Sequence, residues 1–315
     1  MAPITAPGKI SVPWKARLHK ISRNILLFGA NGQLGSRLKT LLAVKGTLRT
    51  VDKSELDLRD LPKLRALIHA TSPELIVNAA AYTAVDAAES DADNARLVNS
   101  EAPRVMAEAA RERNALLIHY STDYVFDGTA RTPYTEDSPV NPLGVYGASK
   151  LAGERAVAES GAAHLILRTA WLYSNRGKNF LNTILRLAAG RDELRVVNDQ
   201  FGCPTCADLV AAASVRMLDG MFAAGHVHPE RCGLYHLCCE GVTTWHGFAR
   251  HIIELAGLGE RVQVLPITTA EYPTAAQRPV YSVLSNKKLE RVFGFRLPDW
   301  KDGLKHCLAE RPAPE

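Results

Sequence analysis

Tyr146 and Lys150 are the side chains whose types and spacing best suit chemistry on a carbonyl group. They stand four residues apart, so on a helix they would lie one turn apart on the same face. An ammonium group beside a phenol favours the phenolate and so lowers the pKa of the phenol. Such a phenol can protonate the oxyanion that forms when a carbonyl accepts hydride. This spacing alone leaves open a surface tyrosine that packs along the lysine stem.

A glycine-rich turn follows the first apolar run, residues 24–28, which we predict to be a buried strand. Gly29, Gly32 and Gly35 have GxxGxxG spacing, and a segment with helical periodicity comes next. Gly29 permits a tight turn, Gly32 lets the backbone approach a pyrophosphate, and Gly35 lets the helix pack closely on the sheet. A strand, this turn and a helix in that order predict a dinucleotide site.

An acidic residue ends the second predicted strand, residues 48–52. Asp52 is 17 residues beyond Gly35, where a carboxylate can accept hydrogen bonds from the adenosine ribose. This acid favours NADH, but Lys53 beside it could tolerate a 2′-phosphate, so NADPH stays open. A turn or helix-capping role for Asp52 is the alternative.

Strands and helices alternate along the first half of the chain, which predicts an α/β fold with a Rossmann-like, doubly wound parallel sheet. Further strands are predicted at 74–82, 115–121 and 164–170, and helices at 61–70, 91–114 and 146–160. Ligands bind beyond the carboxyl ends of such strands. Thr122 follows the fourth strand, where its hydroxyl could hydrogen-bond a substrate carbonyl. A helix cap or turn hydroxyl is the alternative for Thr122.

The composition is that of an ordinary globular protein, with 315 residues, 46% hydrophobic and 23% charged, and a net charge of +5. This mild charge gives no argument for nucleic acid, and no apolar run is long enough to span a membrane. We expect a disordered basic extension at 1–22 without an export signal, a dinucleotide-binding domain at 23–170, and a smaller α-rich substrate lobe at 171–310. Some segments of this lobe are expected to return to the first domain. The expected location is cytoplasmic.

The six cysteines all lie beyond residue 200, and Cys203 and Cys206 have CxxC spacing. A second CxxC pair is missing from the sequence, so we assign no metal ligands and expect reduced thiols.

Several ordered motifs together resemble the extended short-chain dehydrogenase/reductases, and among these the dTDP-4-dehydrorhamnose reductases. The superfamily motifs are the glycine turn at 29–35, NAAA at 78–81, STDYVFDG at 121–128 and YGASK at 146–150. The stretches similar to the reductases are YTAVD at 82–86, RTAW at 168–171, NDQFGCPT at 198–205, GLYHL at 233–237, TTW at 243–245, YPT at 272–274 and RP at 278–279. The resemblance covers residues 24 to about 308.

The resemblance implies a role for individual residues. Tyr146 would protonate the sugar 4-oxygen, Lys150 would hold the nicotinamide ribose, and Thr122 would hydrogen-bond the 4-keto oxygen. Residues expected at the cofactor are Gly29, Gly32, Gln33, Leu34, Gly35, Asp52, Asp57, Leu58, Ala80, Ala81, Tyr82 and Tyr120, with Tyr146 and Lys150. Residues expected at the substrate are Thr122, Asp123, Trp171, Gln200 and Arg278. A core role for Trp171 and a surface ion pair for Arg278 are the alternatives.

The implied activity is the NADPH- or NADH-dependent reduction of dTDP-4-dehydro-L-rhamnose to dTDP-L-rhamnose, the last step of dTDP-rhamnose biosynthesis, in a monomer or homodimer. Some relatives dimerise through Mg²⁺ held by acids, but Arg37 stands at one of those positions, which makes such a metal bridge doubtful here. The alternative function is a non-catalytic dinucleotide-binding subunit that resembles the beta subunit of methionine adenosyltransferase. An epimerase or dehydratase acting on a nucleotide sugar is a third possibility. The joint presence of Thr122, Tyr146, Lys150 and Trp171 favours the reductase.

Overall fold

A parallel sheet lies at the centre of the computed structural model, which describes residues 24–223 and 226–310. The strands are β1 (Asn24–Phe28), β2 (Thr47–Val51), β3 (Leu75–Asn78), β4 (Leu116–Thr122), β5 (His164–Thr169), β6 (Leu172–Tyr173), β7 (Glu193–Val197), β8 (Phe201–Gly202), β9 (Thr205–Cys206), β10 (Phe222–Ala223), β11 (His226–Val227), β12 (Gly233–His236), β13 (Thr243–Thr244) and β14 (Gln263–Ile267). Within the described residues the main sheet has six strands in the order β2-β1-β3-β4-β5-β12, and each neighbouring pair is parallel.

Helices cover both faces of this sheet. They are α1 (Gln33–Leu42), α2 (Leu61–Thr71), α3 (Val85–Ala88), α4 (Ala92–Arg96), α5 (Ala102–Glu112), α6 (Val145–Glu159), α7 (Phe180–Ala189), α8 (Ala207–Met221), α9 (Trp245–Leu255), α10 (Lys287–Phe293) and α11 (Trp300–Ala309). A π-helical turn, Leu97–Glu101, joins α4 to α5. None of the helices in the described ranges is long and apolar enough to cross a membrane.

Strand β1 shows why the sheet is covered on both sides, since its four buried residues alternate between two cores. Ile25 and Leu27 pack with apolar residues of α1 and α8, whereas Leu26 and Phe28 pack with those of α2 and α5. Side chains of a strand point alternately to opposite faces, so a strand buried on both faces must be apolar throughout. The prediction of a doubly wound, Rossmann-like parallel sheet is confirmed.

The first five strands were predicted, with differences at their ends. Strand β3 ends at Asn78 rather than at residue 82, because the Asn78 side chain accepts the backbone N–H of Ala80 and turns the chain away. Strand β2 ends before Asp52, whose carboxylate accepts the N–H of Ser54 in a turn. The helix predicted at 91–114 contains the unpredicted π-helical turn. Strand β12 was not predicted, because a strand of four residues is too short to show a clear hydrophobic periodicity.

The later part of the chain builds a smaller unit beside the carboxyl edge of the sheet. Strands β7 and β14 pair in parallel, and α7 and α9 pack against β7. Strand β12 returns to the main sheet beside β5, and α8 packs on α1. The domain boundary near residue 170 stays a prediction, and the predicted extension at 1–22 lies outside the described residues.

Candidate active site

A cleft of about 1030 Å³ opens at the carboxyl ends of β1 to β5, between the sheet and the smaller unit. This volume is at the upper end of ligand sites, which span roughly 300–1,000 Å³. The predicted residues that line it are Gly29, Gly32, Gln33, Leu34, Asp52, Asp57, Leu58, Ala80, Ala81, Tyr82, Tyr120, Thr122, Asp123, Tyr146, Lys150 and Trp171. Three predicted residues, Gly35, Gln200 and Arg278, lie outside this wall.

The glycine turn leaves no room for side chains where the first helix meets the sheet. Gly29 has a φ of +77°, a conformation that glycine adopts at little cost. A Cβ atom on Gly35 would lie 1.9 Å from the carbonyl oxygen of Gly29. Gly35 therefore acts through packing, which is the role its place in the motif predicts. The Oε1 atom of Gln33 accepts hydrogen bonds from Ser174 and Asn179, at 3.1 and 2.9 Å, and so ties the turn to the smaller unit.

Asp52 is oriented by its neighbours at one end of the cleft. Its Oδ1 accepts the hydroxyl of Ser54 at 2.6 Å, and its Oδ2 accepts Nδ2 of Asn31 at 3.0 Å. The hydrogen bonds from Ser54 are the main cause of a lowered Asp52 pKa, so the carboxylate is ionised. Arg59, which the sequence analysis missed, also lines this end and forms an ion pair with Asp57. Charges of both signs therefore surround the expected adenosine ribose.

Helix α6 carries Tyr146 and Lys150 on the face that looks into the cleft, so the predicted helix and the shared face are both confirmed. The side chain of Lys150 is only 2% exposed, and its Nζ donates to the backbone oxygen of Tyr120 at 2.5 Å. Thr122, at the end of β4, lies close enough to the Tyr146 phenol to lower its pKa. The Thr122 hydroxyl donates to Oδ1 of Asp123 at 3.1 Å.

The prediction that Lys150 lowers the pKa of Tyr146 is wrong for the protein without bound ligands. Burial raises the pKa of Tyr146 to about 12, and the Thr122 side chain offsets this only in part. Burial also lowers the pKa of Lys150 to about 8, against the charge of Glu154. Desolvation of both groups outweighs the attraction between ammonium and phenolate, because desolvation disfavours both charged forms. At neutral pH Tyr146 therefore carries the proton that a donor to an oxyanion needs.

Asn99, which the sequence analysis missed, holds α6 in place from the π-helical turn. Its Oδ1 accepts the N–H of Tyr82 at 2.8 Å, and its Nδ2 donates to the Tyr82 carbonyl and to Oγ of Ser149. The Ser149 hydroxyl in turn donates to the carbonyl of Tyr146. Single π-helical turns occur often at functional sites, but no sequence pattern marked this one.

An aromatic stack forms another part of the cleft wall. The rings of Trp171 and Trp245 are parallel within 5°, with centroids 3.5 Å apart, and Phe180 lies 4.6 Å from Trp245. Trp171 has a φ of +44°, which is unusual for a bulky residue and costs about 1–3 kcal/mol. Its indole lies against Gly202, where a Cβ atom would come within 2.4 Å. Trp171 therefore borders the cleft rather than filling a core, and Trp245 is a second aromatic lining residue that the sequence analysis missed.

Gln200 and Arg278 are occupied by other side chains. Gln200 accepts Nε1 of Trp245 at 3.2 Å and donates to Thr269 at 3.0 Å, so it supports the aromatic wall from behind. Arg278 forms a two-pronged ion pair with Asp86, at 3.0 and 2.8 Å. The alternative of an ion pair for Arg278 thus describes this structure, and direct contact of either residue with substrate stays a prediction.

Two hydroxyl groups in the described part of the cleft wall make no hydrogen bond within the protein. Within residues 24–223 and 226–310, Oγ of Ser121 and Oγ1 of Thr169 are buried and have no hydrogen-bond partner. Thr169 on β5 lies directly opposite Thr122 on β4 in the sheet register. Buried hydroxyls normally have a partner, so these two suit polar atoms of a bound ligand.

Comparison with known proteins identifies the family. A family model described as the RmlD substrate binding domain matches residues 23–312. A dTDP-4-dehydrorhamnose reductase of Burkholderia thailandensis is 45% identical over 292 residues, which cover 91% of this chain and 98% of the relative. The chain belongs to the dTDP-4-dehydrorhamnose reductase family.

Solved structures of the dTDP-4-dehydrorhamnose reductase family share the fold over nearly the whole chain. One from Clostridium acetobutylicum has a TM-score of 0.84 at 38% identity and covers 90% of this chain and 98% of its own. One from Bacillus anthracis, in complex with NADP, has a TM-score of 0.84 at 35% identity and covers 92% of this chain and 99% of its own. The family resemblance inferred from the motifs is confirmed.

Arg37, where the sequence analysis expected a cation in place of a metal-binding acid, forms an ion pair with α8. Its Nε and Nη2 atoms donate to the two carboxylate oxygens of Asp208 on α8, at 2.5 and 2.6 Å. In the part of the chain that the structure describes, no group of three or more His, Cys, Asp or Glu side chains is placed to hold a metal ion.

Proposed function

We propose that this chain reduces the 4-keto group of dTDP-4-dehydro-L-rhamnose to give dTDP-L-rhamnose, with NADPH or NADH as the reductant. The observation that carries the proposal is that Tyr146, Lys150 and Thr122 border the same cleft as the glycine turn and Asp52. A proton donor, an ammonium group and a hydroxyl thus face a dinucleotide site in a chain of the reductase family. The state of assembly, monomer or homodimer, stays a prediction.

The cofactor half of the cleft fits a dinucleotide. The glycine turn would take the pyrophosphate at the amino end of α1, and the Asp52 carboxylate would accept the ribose hydroxyls. Lys53 and Arg59 line the same end and supply positive charge for a 2′-phosphate. These opposite charges support a site that accepts both NADH and NADPH.

The substrate half lies between α6 and the aromatic wall. The indole of Trp171 would cover the deoxysugar, and the free hydroxyls of Ser121 and Thr169 would meet polar atoms of the ligands. Asp123 is buried, and burial raises its pKa to about 6 despite hydrogen bonds from Ser282 and Thr122. Its carboxyl group can therefore accept a hydrogen bond from a sugar hydroxyl at neutral pH.

The reaction needs a hydride at C4 of the sugar and a proton at the 4-oxygen. A bound NADPH or NADH would supply the hydride. When the substrate binds, the Thr122 hydroxyl would turn from Oδ1 of Asp123 and donate to the 4-keto oxygen, which orients the carbonyl and stabilises the charge that develops there. Tyr146 transfers its phenolic proton to that oxygen. Lys150 holds a positive charge one helical turn away, which stabilises the phenolate left behind.

A spectrophotometric assay with purified protein, NADPH or NADH, and dTDP-4-dehydrorhamnose generated in place tests this proposal. We expect cofactor consumption that stops almost completely in Tyr146→Phe, since general acid catalysis contributes roughly 10²–10⁴-fold. The matched control is Tyr235→Phe, because this buried tyrosine does not line the cleft and donates its hydroxyl to the backbone oxygen of Arg231 at 2.8 Å. Tyr235→Phe should retain turnover within about tenfold, since it loses one neutral hydrogen bond.

The outcomes separate the alternatives. Normal turnover in Tyr146→Phe would remove this phenol from the mechanism. Measurable dinucleotide binding without any consumption would refute the reductase and favour a non-catalytic subunit with a protein partner. Conversion of a nucleotide sugar without net consumption of the cofactor would favour an epimerase or a dehydratase, because these reactions are redox-neutral overall.

A further inference from the structure

His119 is an ionisable side chain beside Lys150 to which the reaction above gives no role. It lies on β4 with no exposed surface, and its Nε2 atom is 3.5 Å from Nζ of Lys150. Its other ring nitrogen, Nδ1, is 3.1 Å from Nδ2 of Asn78 on β3. A buried imidazole thus connects the loop that follows β3 with the ammonium group on α6.

The hydrogen bonds of Asn78 determine which nitrogen of His119 carries the proton. The backbone N–H of Ala80 donates to Oδ1 of Asn78 at 3.2 Å, so the amide must turn its Nδ2 group toward the ring. An amide Nδ2 can only donate, and Nδ1 of His119 therefore accepts. A neutral imidazole has one donor and one acceptor, which places the proton on Nε2.

The Nε2–H group of His119 consequently points at Nζ of Lys150. An ammonium group has three donors and no lone pair, so it cannot accept this hydrogen bond, whereas a neutral amine can. Burial and the charge of Lys150 both lower the pKa of His119, which keeps the ring neutral. The contact is therefore favourable only after Lys150 has lost its proton.

The other groups around Lys150 act in a different way. The carbonyl of Tyr120 on β4 accepts from Nζ, and on α6 Tyr146 lies one turn before Lys150 and Glu154 one turn after it. The Glu154 charge favours the ammonium, but Glu154 is also paired with Arg168 on β5. His119 is thus the neighbour whose hydrogen bond selects the neutral amine.

We propose that His119, oriented by Asn78, is a positioning residue that stabilises the neutral amine of Lys150 and so eases the loss of the Lys150 proton. The proposal rests on the proposed function. Tyr146 gives its proton to the sugar oxygen and becomes a phenolate. A proton supplied by Lys150 then restores the phenol, and the amine lone pair accepts Nε2–H of His119. A proton from the solvent finally returns to Lys150.

The first test is the tautomer of His119 in the wild-type protein without ligands, measured by ¹⁵N NMR of histidine side chains. The His119 signal is assigned in the wild-type protein by its nuclear Overhauser contacts with neighbouring residues of β3 and β4, and its loss in His119→Gln is a check. We expect a protonated Nε2 and an unprotonated Nδ1. A proton on Nδ1 would overturn the proposal, because Nε2 would then accept from the ammonium and favour the charged form.

The second test is the pKa of Lys150 in wild type, His119→Gln and His164→Gln, from ¹³C NMR of lysine Cε, with Lys150→Met for assignment. In His119→Gln the amide oxygen can accept from the ammonium, so the pKa should rise by about one pH unit. The alkaline limb of kcat should move upward with it. His164 lies at the start of β5, where its Nδ1 contacts the Ala162 carbonyl at 2.8 Å, so His164→Gln should change neither value.

An unchanged Lys150 pKa in His119→Gln would refute the proposal. A purely structural role would reduce the amount of folded protein without moving the alkaline limb. The protein could show the expected tautomer and the expected rise of the Lys150 pKa but fail to reduce the sugar. This result would refute the proposed function, whereas the effect of His119 on Lys150 would still hold. If His119→Gln does not fold, the wild-type tautomer still decides the matter.

Discussion

The buried ion pair between Glu154 and Arg168 gives a prediction whose magnitude follows from the structure. Glu154 lies on α6 one turn beyond Lys150, and its two carboxylate oxygens accept Nε and Nη2 of Arg168 at 2.8 and 2.6 Å. The two side chains are only 5% and 3% exposed. In the described residues, Nη1 of Arg168 has no hydrogen-bond partner, so the guanidinium depends on this carboxylate.

Glu154→Gln keeps the shape of the side chain but leaves the guanidinium charge buried without a counter-charge. Removal of one partner of a buried pair costs about 3–5 kcal/mol of the free energy of unfolding. With a urea dependence of about 3 kcal/mol per molar, the unfolding midpoint should fall by about 1 M or more. Equilibrium unfolding in urea, followed by circular dichroism and by tryptophan fluorescence, measures this change.

Two controls make the result specific. Glu55→Gln breaks the Arg49–Glu55 pair, whose side chains are 54% and 39% exposed, and should cost no more than about 1 kcal/mol. The double variant Glu154→Leu with Arg168→Met removes both charges and should recover most of the lost stability. A Glu154→Gln protein within about 1 kcal/mol of wild type would refute the reasoning, because the buried guanidinium would then not need its partner.

Three further predictions concern the cofactor site and the pH dependence. Asp52→Ala should weaken NADH more than NADPH in a fluorescence titration, because the carboxylate would accept the ribose hydroxyls of NADH but repel the 2′-phosphate of NADPH; equal losses would show that Asp52 does not distinguish them. Gly35→Ala should reduce dinucleotide binding and lower the unfolding free energy by about 1–3 kcal/mol or more, since the new Cβ would lie 1.9 Å from the carbonyl oxygen of Gly29. The control Gly190→Ala should bind the dinucleotide normally, because a Cβ on Gly190 would have no atom within 4 Å. Activity should fall as pH rises through about 8, where Lys150 loses its proton, and Lys150→Arg should move this limb to higher pH; a limb at the same pH in both proteins would assign it to another group.

The parts of the site that could be predicted from the sequence are formed by residues that lie close together along the chain. The glycine turn is defined by residues that lie between one strand and one helix, and Tyr146 and Lys150 share a face because a single helix carries both. Local spacing determines such arrangements. Asp52 and Thr122 were placed in the same way, because Asp52 ends one predicted strand and Thr122 directly follows another.

The parts that the sequence did not predict depend on contacts between distant segments. Asn99 reaches Ser149 across 50 positions, and Lys150 meets His119 across 31. Trp245 stacks on Trp171, which lies 74 positions earlier in the chain. The Tyr146 pKa was predicted in the wrong direction because burial is a property of the whole fold, and spacing along a helix does not reveal it.

The central claim is that the dinucleotide in this cleft delivers hydride to C4 of the keto sugar. A single turnover with NADPH deuterated at the transferred position, followed by mass spectrometry of the nucleotide sugar, tests it most directly. We predict a dTDP-L-rhamnose that is one mass unit heavier, with the deuterium located at C4 by NMR, and no labelled product from Tyr146→Phe. Oxidation of the cofactor without deuterium at C4 would contradict the account.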